Sequence, residues 1–452
     1  MQDQMSNALN RAKTKACQPL LFWLAAVGAV VVVVAAYSSQ LNEKFQPADR
    51  QNIQGNLYIQ NLEALYQLVR NPRERLHVPD QVPYRPVLSF SLAIDYWVGG
   101  GLEARAYRFS QMVLMMGLGA GFFAWFLFLA NRANEHWANR FVALLAAMVF
   151  CVHVTNSEII SDVSSRSTLL GTFGIVGSLL MYAYLPIWRN AHLYLIPMIL
   201  GSLAHPMAVL FAPLLLVYGL LFEKRISCRE WYATRSWPKV KHAIGKTLPA
   251  FVTGMGLLLF LDSVRSTHLA EEIHANHTMF QQPFMWFHSL WLFVFPYENN
   301  AWVGGQTSFQ WLNLPFFSGL LGVLVLGRIL WVSSGIKALR PVAFGIAWFL
   351  LGSFGVGSRI NEGEGLVQPE FLFSFMGLTL ALMTWIAYRL KQQKLRDPRL
   401  WFPKMVMVGL MFIVVLAFHV VGTTQLTGPK GVPESPQTLS GLEKPVSQSP
   451  HL

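Results

Sequence analysis

The chain has 452 residues, 53% hydrophobic and 13% charged, and its 35 Lys and Arg against 23 Asp and Glu give a formal net charge of +12. Such a composition cannot cover a globule with a wetted surface, so a soluble protein is excluded and lipid is the expected solvent. The basic residues stand in short runs between apolar segments, which reads as orientation signals and anionic-lipid contacts and excludes a nucleic-acid footprint.

Taken in order, Met1 to Cys17 carries Arg11, Lys13 and Lys15 ahead of the apolar run Leu20 to Tyr37. That run is longer than the hydrophobic core of a signal peptide, so it predicts an uncleaved first span with the amino terminus inside. Residues 38–105 then form a long polar loop on the outside. Within it Leu57, Leu62, Leu65, Leu68 and Val69 recur at helical spacing, which predicts an amphipathic helix lying on the membrane plane, and Leu88 to Trp97 repeats the pattern more weakly.

Further apolar runs at 106–130, 141–154, 168–187, 192–204, 206–222, 247–263, 313–332, 341–358, 371–389 and 405–421 predict an all-α polytopic bundle of about 11 transmembrane helices. Two of these runs are short, and the pair around Pro206 has one broken helix as its alternative, the charge distribution supporting the eleven-helix version. Alternate connectors are rich in Lys and Arg, which places them with the amino terminus on the inside. The opposite connectors hold isolated acids and histidines, so the functional face is expected outside. Residues 264–312 contain the aromatic run Phe284 to Pro296, too short to cross and too apolar for water, which predicts a re-entrant or interfacial segment. The transmembrane domain therefore covers 1–421, and 422–452, rich in Pro, Gly, Ser and Gln, is expected to be a disordered outside tail. Cys17, Cys151 and Cys228 have neither paired nor metal-ligand spacing, so neither a disulfide framework nor a metal site is expected.

Asp49 follows the first span closely and would face the outer interface, where a carboxylate can take the proton of an attacking hydroxyl. It can equally pair with Arg50 or cap the next helix. Glu158, Asp162 and Arg166 are spaced four apart, which predicts one helical face suited to a phosphate-bearing ligand, or to internal salt bridges on a solvated helix end. His205, beside Pro206, is a polar group near the outer boundary of the bilayer, a position that marks function by default. Arg85 and Arg359 are candidate phosphate contacts, the latter also explicable as a snorkelling side chain.

Four segments carry a resemblance. Tyr84-Arg85-Pro86-Val87-Leu88-Ser89-Phe90 with Asp95-Tyr96, His153 to Glu158 followed by Ser165-Arg166-Ser167, Leu290 to Pro296 with Trp302, and Phe344 to Leu350 fall in the same order as in the transmembrane and TPR-repeat O-mannosyltransferases and their bacterial relatives. The chain resembles that family, of GT-C fold, over roughly residues 20–390, without a TPR array.

The resemblance implies a glycosyltransferase using a polyprenyl-phosphate sugar as donor substrate. It implies inversion at the anomeric carbon, no cofactor or tightly bound metal, and an acceptor hydroxyl on a protein, lipid or glycan. Asp49 falls on the second of the family's two adjacent first-loop acids, Glu158 on its second-loop Glu and Arg166 on its second-loop Arg. Asp49 and Glu158 are thereby the expected catalytic residues, with Arg85, Asp162, Arg166, His205 and Arg359 binding donor phosphate or substrate. Ala48 replaces the first acid and His205-Pro206 stands where relatives have Lys-Glu. These departures keep a catalytically inactive scaffold for envelope glycan or glycoprotein assembly among the readings. A lipid-linked-sugar transporter is the third, although the spans carry few polar residues at their centres. The expected location is a bacterial inner membrane, with the amino terminus cytoplasmic and the carboxyl terminus periplasmic.

Overall fold

The computed structural model describes residues 2–45, 49, 53, 56–72, 84–231, 236–264, 282–295, 314–355 and 371–396. Among these residues every regular element is helical. Among the described residues seven helices are long and apolar enough to cross a bilayer, as in an integral membrane protein. Four of the expected spans account for the difference from about 11. Asn139–Cys151 forms a helix of 13 residues, Leu195–Ser202 one of 8 and Arg340–Gly355 one of 16, while 405–421 and the 422–452 tail lie outside the described residues. At 1.5 Å per residue the first two rise about 20 and 12 Å, short of a hydrocarbon core of about 30 Å, while the third is described only as far as Gly355.

Helix α1 (Gln2–Tyr37) leads into a 3-10 turn (Ser38–Asn42). The amphipathic stretch forms α2 (Leu57–Gln60) and α3 (Leu62–Arg70), parted at Asn61, whose side chain accepts the amides of Glu63 and Ala64 and so starts the second helix. Leu65 and Leu68 face inward while Leu57, Leu62 and Val69 are exposed. Next comes α4 (Pro86–Gly99), with Pro86 in its first turn and Gly100 ending it at φ 70°, a conformation glycine adopts without strain. Then follow α5 (Ala104–Ala133), α6 (Asn139–Cys151), α7 (Thr155–Ser161), α8 (Arg166–Tyr184) and the short α9 (Pro186–Asn190).

The chain around Pro206 is two elements and not one broken helix. Gly177, Gly174 and Gly171 of α8 meet Pro197, Gly201 and His205 in turn, so α10 (Leu195–Ser202) runs antiparallel to α8. After the turn at His205, a 3-10 segment (Pro206–Leu210), α11 (Phe211–Tyr218) and a π-helical turn (Gly219–Glu223) retrace the path, bringing Phe211 back to Tyr194 with ring centroids 5.9 Å apart.

The remaining helices are α12 (Trp237–Ser263), α13 (Gln282–Val294), α14 (Leu314–Gly335), α15 (Arg340–Gly355) and α16 (Phe371–Arg396). The aromatic run is α13. Its Pro283 and Leu290 meet Gly319 and Gly322 of α14, and its His288 and Phe293 meet Phe371 and Phe375 of α16, so it runs in the same sense as both neighbours. Helices α15 and α16 cross where a Cβ on Gly345 would lie 2.5 Å from the Gly377 carbonyl oxygen, and one on Gly377 2.5 Å from that of Gly345.

The core joins Phe122, Trp125 and Phe126 of α5 to Phe150, Phe211, Tyr218, Phe344 and Trp348. Outward faces of α1, α12 and α14 instead expose Leu24, Val27, Val252, Leu259, Leu321 and Leu324, surfaces that suit lipid.

The bundle has two unlike ends. At one, which we call the basic end, Glu223 pairs with Arg189 and Lys246, each at 3.5 Å, and Arg340 donates to the Arg225 carbonyl at 3.0 Å. The other end gathers residues 37–45, Asp49, α4 and the α7–α8 junction.

Candidate functional site

The site begins with the α7–α8 junction. Glu158, Asp162 and Arg166 do not share one helical face, because the helix stops at Ser161 and Asp162 takes an extended conformation. The Asp162 carboxylate caps the 3-10 turn Val163–Ser165, accepting the Ser164 amide at 3.0 Å and the Ser164 and Ser165 hydroxyls at 2.7 and 2.5 Å. Asp prefers this local capping to continuing a helix, which is why four-residue spacing misleads here.

The same Ser164 amide also donates to Asp49 Oδ1 at 3.1 Å. Asp49 is wholly buried, so a first-loop carboxylate and the second-loop junction share one donor across 115 positions of sequence.

Arg166 opens α8 and is fully buried. Its Nη1 pairs with the Asp95 carboxylate and lies 3.4 Å from Ser91 Oγ; its Nη2 donates to the Tyr107 carbonyl at 2.7 Å and to Ser110 Oγ at 2.8 Å; its Nε donates to Gln111 Oε1 at 3.0 Å. All three nitrogens are engaged with α4 and α5. Gln111 turns its amide the other way, donating to the carbonyls of Ile159 and Asp162, the latter at 3.0 Å. Arg166 and Gln111 thus tie α4, α5, α7 and α8 together, a satisfied polar network in an apolar surround.

Arg85, half-buried before α4, donates through Nη1 to Ser167 Oγ at 2.9 Å, and Tyr84 beside it lies edge-on to Phe260 of α12 at 6.1 Å. The rim of the site therefore reaches from α8 to α12. His205 lies deeper. Its Nδ1 accepts the Met207 amide at 3.3 Å, and it faces Gly171, five residues or about 7.5 Å along α8 from Arg166. The Glu158 side chain, and Arg359 altogether, lie outside the described residues, as does Trp302.

Of the expected residues, the structure brings together Asp49, Asp162, Arg166 and, through Ser167, Arg85. Sequence reasoning missed Arg108 and Gln111, and gave Asp95 no role. Arg108, on α5 and fully buried, has Nη1 3.5 Å from Glu43 Oε2 and donates through Nη2 to the Lys44 carbonyl at 2.5 Å. The charges of Asp49 and Asp162 also act on it. Two ionisable or amide side chains one turn apart inside an apolar run were the available signal.

Nearby, His153 at the end of α6 is buried between the rings of Phe293 and Phe375, with Nδ1 2.7 Å from Thr155 Oγ1 and Nε2 3.2 Å from the Phe293 carbonyl. It fastens α13 to this end of the bundle. Among the described residues, no three His, Cys, Asp or Glu side chains converge as metal ligands. Comparison with family models, with curated proteins and with solved structures returns no match.

Proposed function

We propose that the chain is an integral membrane glycosyltransferase of GT-C type, moving a sugar from a polyprenyl-phosphate donor to an acceptor hydroxyl with inversion. The observation that carries the reading is the meeting of Asp49 with the Asp162–Ser167 segment. Two polar loops that a polytopic chain would otherwise leave in water converge at one end of an apolar bundle. A carboxylate, a capped acid and arginines gathered at a lipid boundary suit chemistry between a lipid-borne phosphate and a hydroxyl.

In the proposed step Asp49 accepts the acceptor hydroxyl proton as that oxygen bonds to the anomeric carbon. The bond from that carbon to the phosphate oxygen breaks, and its electron pair leaves with the polyprenyl phosphate. Arg85, His205 or Arg359 stabilises the departing phosphate, and Glu158 orients acceptor or donor. Arg166, with its nitrogens engaged by the protein, acts as a positioning residue that holds the junction on which Asp162 and Ser164 sit. The site faces the periplasm of a bacterial inner membrane, with the basic end and the amino terminus in the cytoplasm as the positive-inside rule requires.

The test is transfer from a radiolabelled polyprenyl-phosphate sugar pool in membranes carrying wild-type chain, Asp49→Asn or Glu158→Gln, each checked for insertion. Loss of a discrete labelled acceptor in the Asp49→Asn membranes is expected, by about 100-fold or more. Wild-type labelling by Asp49→Asn would overturn the mechanism. A second reading, an inactive scaffold for an envelope assembly complex, is favoured by the complete burial of Asp49 and its bond to a backbone amide. Absence of label with every protein would select it.

A further inference from the structure

Arg108 is the unexplained charge of the site. Its side chain is wholly buried, yet among the described residues Nε and Nη1 have no hydrogen-bond partner, and Nη1 lies 3.5 Å from the Glu43 carboxylate. Unmet N–H groups of a buried guanidinium are expensive, since water is gone and nothing replaces it. Glu43 itself is 29% exposed, so the pair joins a dry cation to a partly wetted anion on the short segment that leads from α1 toward Asp49. Gln40, on the preceding 3-10 turn, is also fully buried, and both its amide atoms lack a hydrogen-bond partner among the described residues. Among the described residues the unmet Nε and Nη1 of Arg108 and Nε2 of Gln40 are donors on two facing elements, positions that ligand oxygen atoms can fill.

We infer that Arg108 is the seat of a phosphate group and that Glu43 is its placeholder, which the phosphate displaces toward solvent. A phosphate carries several acceptor oxygens and can meet nitrogens that point in different directions, where one carboxylate at 3.5 Å meets none of them well. Asp49 and Asp162 oppose the incoming charge, so the seat is tuned: an anion enters only by exchanging with Glu43, which keeps the local charge nearly constant. The identity of the ligand as a prenyl phosphate rests on the transferase reading; the seat itself rests on Arg108.

The experiment uses the full chain in lipid nanodiscs and titrates farnesyl phosphate, with farnesol and inorganic phosphate as comparison arms. Farnesyl phosphate binds and farnesol binds at least about tenfold more weakly, charge-assisted contacts being the difference. Arg108→Lys weakens farnesyl phosphate by about tenfold, because an ammonium cannot span the same oxygens. Glu43→Gln tightens it several-fold by removing the competitor, and since this variant deletes no buried cation it reports even where Arg108 variants fold poorly. Asp49→Asn also tightens binding while abolishing transfer. Wild-type affinity in Arg108→Lys, or no gain in Glu43→Gln, would sink the proposal. Equal binding of inorganic phosphate keeps the seat and assigns it to a soluble phosphate compound. Arg108-dependent binding without any sugar transfer would overturn the transferase reading alone.

Discussion

Both ends of the bundle pair a carboxylate with a cationic side chain, and they are built on opposite terms. At the basic end Glu223 meets Arg189 and Lys246 at 3.5 Å, with those cations 35% and 45% exposed. At the other end Asp95 and Arg166 pair out of water, and Ser110, Gln111 and the Tyr107 carbonyl fill the remaining positions. Water can replace the partners of Glu223 and does not reach the Asp95–Arg166 pair in the same way. Charge serves as a surface anchor in one place and as an internal joint in the other.

The comparison breaks most sharply at Arg166. Arg166→Met leaves Asp95 buried without its cation and is expected to destabilise the protein by about 3–5 kcal/mol, read from denaturant unfolding in detergent. If the loss comes from the orphaned charge, the double variant Asp95→Leu with Arg166→Met recovers most of it, to within about 1–2 kcal/mol of wild type in the same measurement. Gln111→Leu, which strands two carbonyls and the Arg166 Nε, is expected to lower stability by about 1–3 kcal/mol. Smallest is Glu223→Gln at the basic end, below about 1 kcal/mol and shrinking further in high salt, where Arg166→Met is unaffected. A salt-insensitive loss at Glu223 equal to that at Arg166 would erase the distinction between the two ends.

Asp49, Asp162 and Arg166 stood out in the sequence because a charge in a mainly apolar chain needs a reason. Their convergence did not, because a hydrogen bond from Ser164 to Asp49 depends on how α1, α5 and α8 lie together. Arg108 and Gln111 were absorbed into an apolar run beginning at 106, since hydropathy averaged over a span hides two polar residues on its buried side. The helical face assigned to Glu158, Asp162 and Arg166 failed for a local reason: spacing reports a face only while the helix continues, and Asp162 ends it by capping. His205 reads as a boundary residue in sequence, whereas the short rise of α10 places its turn below Arg166.

The mutual contact of Gly345 and Gly377 has a mechanical consequence. With each Cα against the other helix's carbonyl, α15 and α16 cannot slide or roll without colliding, so the pair behaves as one stiff plate. Helix α13 is fixed to that plate through His288, Phe293 and their ring contacts, and through His153 to α6. Any displacement of α13 must therefore occur against the backing that α15 and α16 form together.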